Sequence, residues 1–202
     1  MKLYESPMAP NPRRVKIFLA EKGVEVKSIN VDLQKGENLV DDFLKKNMFA
    51  KVPVLELDDG TCIAESVAIC RYIEETHPAP PLFGTSALEK AMIEMWQRRV
   101  EIYLTMAVSA AFRNLTGFYK DREKVVKEWG EVSFENAENV YKKFDEHLGQ
   151  NQYFAGEKFS IADITGLCTI DFAKFIELEI KDNQKNLARW YEEISSRPSA
   201  QA

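Results

Sequence analysis

The amino-acid sequence predicts two domains: a small α/β domain followed by an all-α domain. Three observations carry this. Up to about residue 80, short strand-like runs alternate with helical ones. The segment His77-Pro78-Ala79-Pro80-Pro81 cannot continue a helix and reads as a stiff linker. Beyond it, apolar residues recur at spacings of three and four. The expected division is 1–80 and 87–202, with 77–86 as the linker.

The elements follow in order. Lys2 to Tyr4 reads as a strand. Pro12 to Lys22 reads as a helix with Val15, Phe18 and Leu19 on one face, and Gly23 supplies its C-terminal stop. Val26 to Val31 is a second strand, and Leu39, Val40, Phe43 and Leu44 mark an irregular second helix. Two further strands, Val54 to Leu57 and Thr61 to Ala64, flank the hairpin signal Asp58-Asp59-Gly60. A third helix runs from Ser66 to about Glu75, so the order is βαβ–α–ββα: a parallel unit, then an antiparallel hairpin on the same sheet. In the second domain, Ala87 to about Gly117 carries Leu88, Ala91, Met92, Met95, Trp96, Val100 and Tyr103 at helical spacing. Val125 to Leu148, Ser160 to Ile176 and Leu187 to Ile194 complete the helices, with Ser160-Ile161-Ala162-Asp163 as a capping box.

Composition narrows the function classes. The chain has 202 residues, 45% hydrophobic and 29% charged, which excludes disordered and fibrous classes. The formal net charge is −5, with 11 basic and 13 acidic side chains through residue 80 and 16 against 19 after it, so there is no basic stripe for nucleic acid. No apolar run approaches the roughly 18–20 residues of a membrane span. Residues Met1 to Pro7 carry an acid and a proline where a signal peptide needs an apolar core, so a cytoplasmic location is expected. Cys62, Cys70 and Cys168 are widely spaced, and with only two histidines neither a metal site nor a disulfide framework is expected; three buried reduced thiols are.

That element order, together with four stretches, resembles the cytosolic glutathione transferase family. The stretches are Arg14 to Gly23, Lys51-Val52-Pro53-Val54-Leu55, Glu65-Ser66 followed by Ala68-Ile69, and Ser160 to Asp163. The resemblance covers essentially the whole chain. It implies a thioredoxin-like first domain, a helical second domain, and glutathione as co-substrate with no further cofactor and no metal.

The residues fit those roles physically. In thioredoxin-like folds the residue before a cis proline turns its N–H and C=O outward, where an extended peptide can add as a strand. Carried over, Val52 beside Pro53 holds the cysteinyl part of glutathione. Ser66 falls where a strand meets a helix N-terminus, whose unpaired N–H groups and hydroxyl suit the γ-glutamyl carboxylate. Glu65 suits the α-ammonium. Lys51 either pairs with the glycyl carboxylate or is simply solvated, and Asn38 occupies a position where relatives often hold a basic residue near that carboxylate.

The usual thiol-activating side chain is missing. A thiol with pKa ~8.5 is about 3% ionised at pH 7, and lowering that pKa by about two units needs roughly 2.7 kcal/mol of thiolate stabilisation. At the positions where the family places serine or cysteine, tyrosine, and the bacterial cysteine, this chain has Ala9, Glu5 and Asn11. With Pro12 opening the helix and Asn11 as its cap, the helix's positive end and the Asn11 amide lie near the expected sulfur. A helix terminus contributes ~0.3–2 kcal/mol and one hydrogen bond to a charged group ~1.5–3, which together meet the requirement. Asn11 is therefore the expected catalytic residue. The sequence is similar here to a fungal and bacterial branch with alanine between prolines, which uses a bound water held by the helical domain. The corresponding segment Phe112-Arg113-Asn114-Leu115-Thr116 lacks a histidine, leaving Arg113 or Asn114 as substitutes by position.

The resemblance further implies an apolar acceptor pocket with Tyr103, Ala107, Phe112 and Arg113, and a homodimer in which Phe49 inserts into the partner chain. The expected activity is conjugation of glutathione to small apolar electrophiles, with glutathione-dependent peroxide reduction at the same site. The alternative is a non-catalytic or regulatory protein that retains the fold.

Overall fold

The computed structural model describes residues 1–202, which form two compact units: Met1–Pro81 with Pro198–Ala202, and Leu82–Arg197. The last five residues, expected within the helical domain, thus group with the first unit.

The first unit holds a four-stranded sheet of β1 (Lys2–Glu5), β2 (Lys27–Asn30), β3 (Val54–Glu56) and β4 (Cys62–Ala64), in the order β2-β1-β3-β4. β1 runs parallel to β2, with Leu3 opposite Ser28, and antiparallel to β3, with Leu3 opposite Leu55; β4 then pairs antiparallel with β3. Alternation along the strands splits the side chains between two faces. Leu3 and Leu55 share one face and are buried, as are Phe18 of α1 (Pro10–Lys22) and Ile69 and Ile73 of α3 (Ser66–Thr76). Val54 shares the other face with Tyr4, in a cluster with Val31, Val52 and Phe43 of α2 (Asp41–Leu44).

Local chemistry sets the ends of these elements. Gly23 terminates α1 at φ +63, its N–H donating to the Ala20 carbonyl while Val24 N–H reaches Leu19. The far end of α1 is also pinned by Lys22, whose buried ammonium pairs with Glu74 and donates to the Pro80 carbonyl, both at 2.5 Å. The start of α1 differs from expectation. The helix opens at Pro10, with Ala9 before it, so Asn11 lies inside the first turn rather than capping it. Both Pro10 and Pro12 fit because the first N–H groups of a helix have no intrahelical partner. The irregular second helix resolves into a 3-10 turn at Glu37–Leu39 and α2. Cys70 and Cys168 are buried free thiols, but Cys62 is only half-buried because it begins the edge strand β4.

The second unit contains α4 (Ala87–Arg99), α5 (Met106–Thr116), α6 (Lys127–Leu148), α7 (Ile161–Ala173) and α8 (Lys185–Ser195). α7 is apolar and buried almost all round and forms the centre of this unit. Gly166 permits this packing, because a Cβ there would stand 2.5 Å from the Phe154 ring and 3.0 Å from Trp190. The expected capping box is present: Asp163 accepts from Ser160 N–H and Oγ, and also from Phe154 N–H and Trp190 Nε1. Burial pushes this carboxyl up to about 6, and the four hydrogen bonds pull against that rise.

The first long helical run is not one continuous α-helix. A π-helical turn, Val100–Thr105, joins α4 to α5. The buried face runs through Ile93, Gln97, Val100, Leu104, Val108 and Ala111, whereas Leu88 is 74% and Tyr103 62% exposed. Both sides of α4 carry apolar residues, so periodicity alone does not select the inner face. The wider π turn also swings Tyr103 out of line with Val100. No helix is long and apolar enough to cross a membrane.

Candidate functional site

The candidate site is the edge of the first unit where the start of α1, the start of α3 and the turn before β3 come together through side-chain contacts. At α1, two of the first three residues are prolines, no side chain caps the helix and no acidic residue lies in its first turn. The positive end of the helix dipole is therefore left unneutralised. Asn11 is exposed there, and its Oδ1 accepts from Arg14 NH1 at 2.9 Å. With the carbonyl oxygen held inward, the amide NH2 is the end of the Asn11 side chain that remains for a ligand.

Arg14 is the residue around which the site is built. Its side chain is 1% exposed, and NH1 also donates to Ser66 Oγ at 2.5 Å. Its Nε is buried without a partner. A buried guanidinium whose hydrogen-bond partners are both neutral keeps its positive charge uncompensated, a costly arrangement that favours an anion nearby. In the sequence Arg14 stands out only as the start of the Arg14-to-Gly23 stretch. The available signal was its helical position: Arg14 lies three and four residues before Ile17 and Phe18, on the apolar face of α1.

Ser66, 6% exposed, is the first residue of α3. Its helix has no side-chain cap and no acid in the first turn, so its leading N–H groups are available. Glu65 precedes it at φ +66, ψ +114, a conformation rarely adopted by residues other than glycine. Such backbone strain collects at functional positions, and here it leaves the Glu65 carboxylate exposed beside Ser66.

Val52 precedes Pro53 through a cis peptide bond. Its side chain is buried in the Val31–Phe43–Val54 cluster, while its N–H and C=O make no main-chain hydrogen bond outside the strands. Neither main-chain group is therefore taken up by the backbone of another segment. Lys51 is exposed, and its carbonyl is held by Asn47 Nδ2 at 2.9 Å. Asn38 is buried; its Nδ2 holds the Ala50 carbonyl at 2.8 Å with one of its two hydrogens, and its Oδ1 is a buried acceptor without a partner. Its observed work is to fix the turn at Ala50, which has φ +54.

The remaining expected residues lie on the helical unit. Phe112 joins an aromatic cluster, with ring centroids 4.7 Å from Phe172 and 5.5 Å from Phe118. Tyr103 is exposed and Ala107 half-buried. Arg113 pairs with Glu123 and stacks over Tyr119 at 4.9 Å. Asn114 accepts from Val126 N–H at 2.8 Å and donates to the Ala110 carbonyl at 2.9 Å. Both side chains tie the loop after α5 to that helix. At the positions expected for a hydroxyl or thiol, Ala9 is half-buried and Glu5 is a buried carboxylate with Oε2 unpartnered.

Comparison with known proteins fits this geometry. Residues 1–75 match the model of the glutathione S-transferase N-terminal domain, and residues 105–198 match that of the C-terminal domain. The chain is 40% identical over 203 residues to glutathione S-transferase 2 of Saccharomyces cerevisiae, covering 98% of this chain and 87% of that protein. Among solved structures it is similar to a glutathione S-transferase domain-containing protein of Marinobacter aquaeolei, with TM-score 0.95 and 40% identity over 98% of this chain and 99% of the other. It is also similar to Gtt2 of Saccharomyces cerevisiae, with TM-score 0.95 and 38% identity over 100% and 99% of the two chains.

Proposed function

The chain belongs to the glutathione S-transferase family, and on that premise we propose that it ionises the glutathione thiol and transfers it to small apolar electrophiles. Glutathione lies extended along the turn before β3, its cysteinyl main chain pairing with Val52 N–H and C=O as an added strand. Its γ-glutamyl carboxylate sits on the Ser66 hydroxyl and the first N–H groups of α3, and the α-ammonium meets Glu65. Lys51 takes the glycyl carboxylate. The sulfur lies against the start of α1, where the Asn11 amide donates to it.

The observation that carries this reading is the Arg14 bridge, with NH1 2.9 Å from Asn11 Oδ1 and 2.5 Å from Ser66 Oγ. One buried cation orients both the proposed thiolate donor and the proposed carboxylate donor. It also adds positive potential to the helix terminus, which favours the thiolate over the thiol. With an aryl halide, the thiolate forms a carbon–sulfur bond at the ring carbon and the halide departs with the bonding electrons. With a hydroperoxide, the thiolate takes the terminal oxygen and an alcohol leaves; a second glutathione then releases the disulfide and water. Both reactions need an ionised sulfur and no further catalytic side chain. We assign homodimerisation through exposed Phe49 to the same reading.

Calorimetric titration with glutathione tests the proposal, followed by turnover with a chlorinated nitrobenzene and with a hydroperoxide. Saturable heat with turnover of either acceptor is the expected result. Absence of any heat at millimolar glutathione refutes it and leaves a regulatory protein built on this fold.

A further inference from the structure

The end of the chain returns to the helix that bears the thiol site. Pro198–Gln201 forms a 3-10 turn in which Ser199 and Ala200 are buried, and it lies on α1. It reaches both ends of that helix. In the first turn Arg13 NH2 donates to the Ala200 carbonyl at 3.2 Å, and in the last turn the Ser199 hydroxyl donates to Glu21.

Arg13 and Arg14 are consecutive, so their side chains leave the helix about 100° apart. One is drawn to the C-terminal segment, while the other is drawn to Ser66 on α3. Two anchors in different directions on one turn add to the buried face of Pro12, Val15 and Phe18 in setting the rotation of the helix about its axis. The first turn buries Pro12 but lacks a side-chain cap, and Pro10 and Pro12 donate no hydrogen bonds. The Lys22–Glu74 pair secures only the opposite end.

We propose that Pro198–Ala202 positions the thiol site, the Ala200–Arg13 contact setting the rotation of α1 and thereby the direction in which Arg14 presents Asn11 and Ser66. This inference rests on the glutathione reading given above. Arg13 and Ala200 are positioning residues that touch no substrate.

The test uses the full chain carrying Ala200→Arg, which places a bulky cation in the buried contact beside Arg13, with Ala200→Ser as the conservative control. Ser199→Asp, which sets a carboxylate against Glu21, is the second disruptive variant should the first not fold. Three quantities are measured: amide hydrogen exchange at residues 13–16 without ligand, the glutathione Kd by calorimetry, and the thiol pKa of bound glutathione by ultraviolet absorbance. Ala200→Arg is expected to accelerate exchange in the first turn, weaken glutathione binding about tenfold and raise the bound thiol pKa. Ala200→Ser should match the wild type in all three. A merely structural segment would accelerate exchange in the first turn without moving the thiol pKa. Wild-type Kd and pKa in a disruptive variant whose first turn exchanges faster would overturn the proposal while leaving the glutathione reading intact. No heat from the wild type itself would overturn both.

Discussion

Replacing Arg14 by methionine separates the energetics of the fold from those of the site. The guanidinium is 1% exposed and donates 2.9 and 2.5 Å hydrogen bonds to Asn11 and Ser66, both neutral, while its Nε has no partner. Each charge-assisted bond is worth ~1.5–3 kcal/mol, yet burying an ion without a counter-charge costs several kcal/mol. The two nearly cancel, and methionine fills much of the same space without a charge. The melting temperature should therefore move by less than ~5 °C, given ~2–4 °C per kcal/mol in a chain of this length. Binding should respond very differently. Without Arg14, the Ser66 hydroxyl and the Asn11 amide are no longer held toward the ligand. Losing the equivalent of one hydrogen bond to a charged group weakens glutathione affinity by ~10–150-fold. Removing the positive charge should raise the bound thiol pKa by about one unit. Calorimetry, thermal unfolding followed by circular dichroism, and ultraviolet titration of the thiolate measure the three quantities. Wild-type affinity in Arg14→Met would refute the bridge as a functional device. A fall in melting temperature beyond ~10 °C with unchanged thiol pKa would make Arg14 a structural residue instead.

Four further substitutions have expected outcomes. Ser66→Ala should mainly raise KM for glutathione and Asn11→Ala mainly the thiol pKa; an unchanged thiol titration in Asn11→Ala would remove that residue from the mechanism. Asp163→Asn should cost ~2–5 kcal/mol in urea unfolding, because an amide cannot accept from all four of the donors that surround the carboxylate. Its pH dependence has a definite sign. With a folded pKa pushed up to about 6, above the unfolded value, the native state binds the extra proton, and the stability this adds is lost as pH rises from about 4 through 6. The gap between wild type and Asp163→Asn should thus widen by up to ~3 kcal/mol as pH falls across that window, and a constant gap would show that Asp163 does not titrate there. Glu74→Ala should destabilise by ~3–5 kcal/mol by leaving Lys22 buried without its counter-charge, and a loss below 1 kcal/mol would contradict the ion pair's burial.

The proposed site was partly legible. Val52, Glu65 and Ser66 sit at element boundaries, and the roles proposed for Val52 and Ser66 rest on main-chain groups that a strand edge or helix start leaves unpaired, that of Glu65 on its carboxylate. Asn38 and Arg113 are expected to face ligands, and in the structure Asn38 Nδ2 also holds the Ala50 carbonyl while Arg113 NH1 also pairs with Glu123. Their spacing along the chain carries no record of those partners. Arg14 was overlooked for the same reason: a long cationic side chain reads as solvated until the apolar face it occupies is followed across to α3.

The amino-acid sequence alone determined the two-part architecture, the order of strands and helices, the Gly23 stop and the Ser160–Asp163 box. These depend on periodicity and on contacts within a few residues, where chain connectivity already supplies the geometry. Tertiary structure alone decided which face of α4 is buried, where α1 begins and how residues 198–202 meet Arg13 and Glu21. Those outcomes depend on groups far apart in the chain, whose meeting is governed by burial and charge across the whole unit.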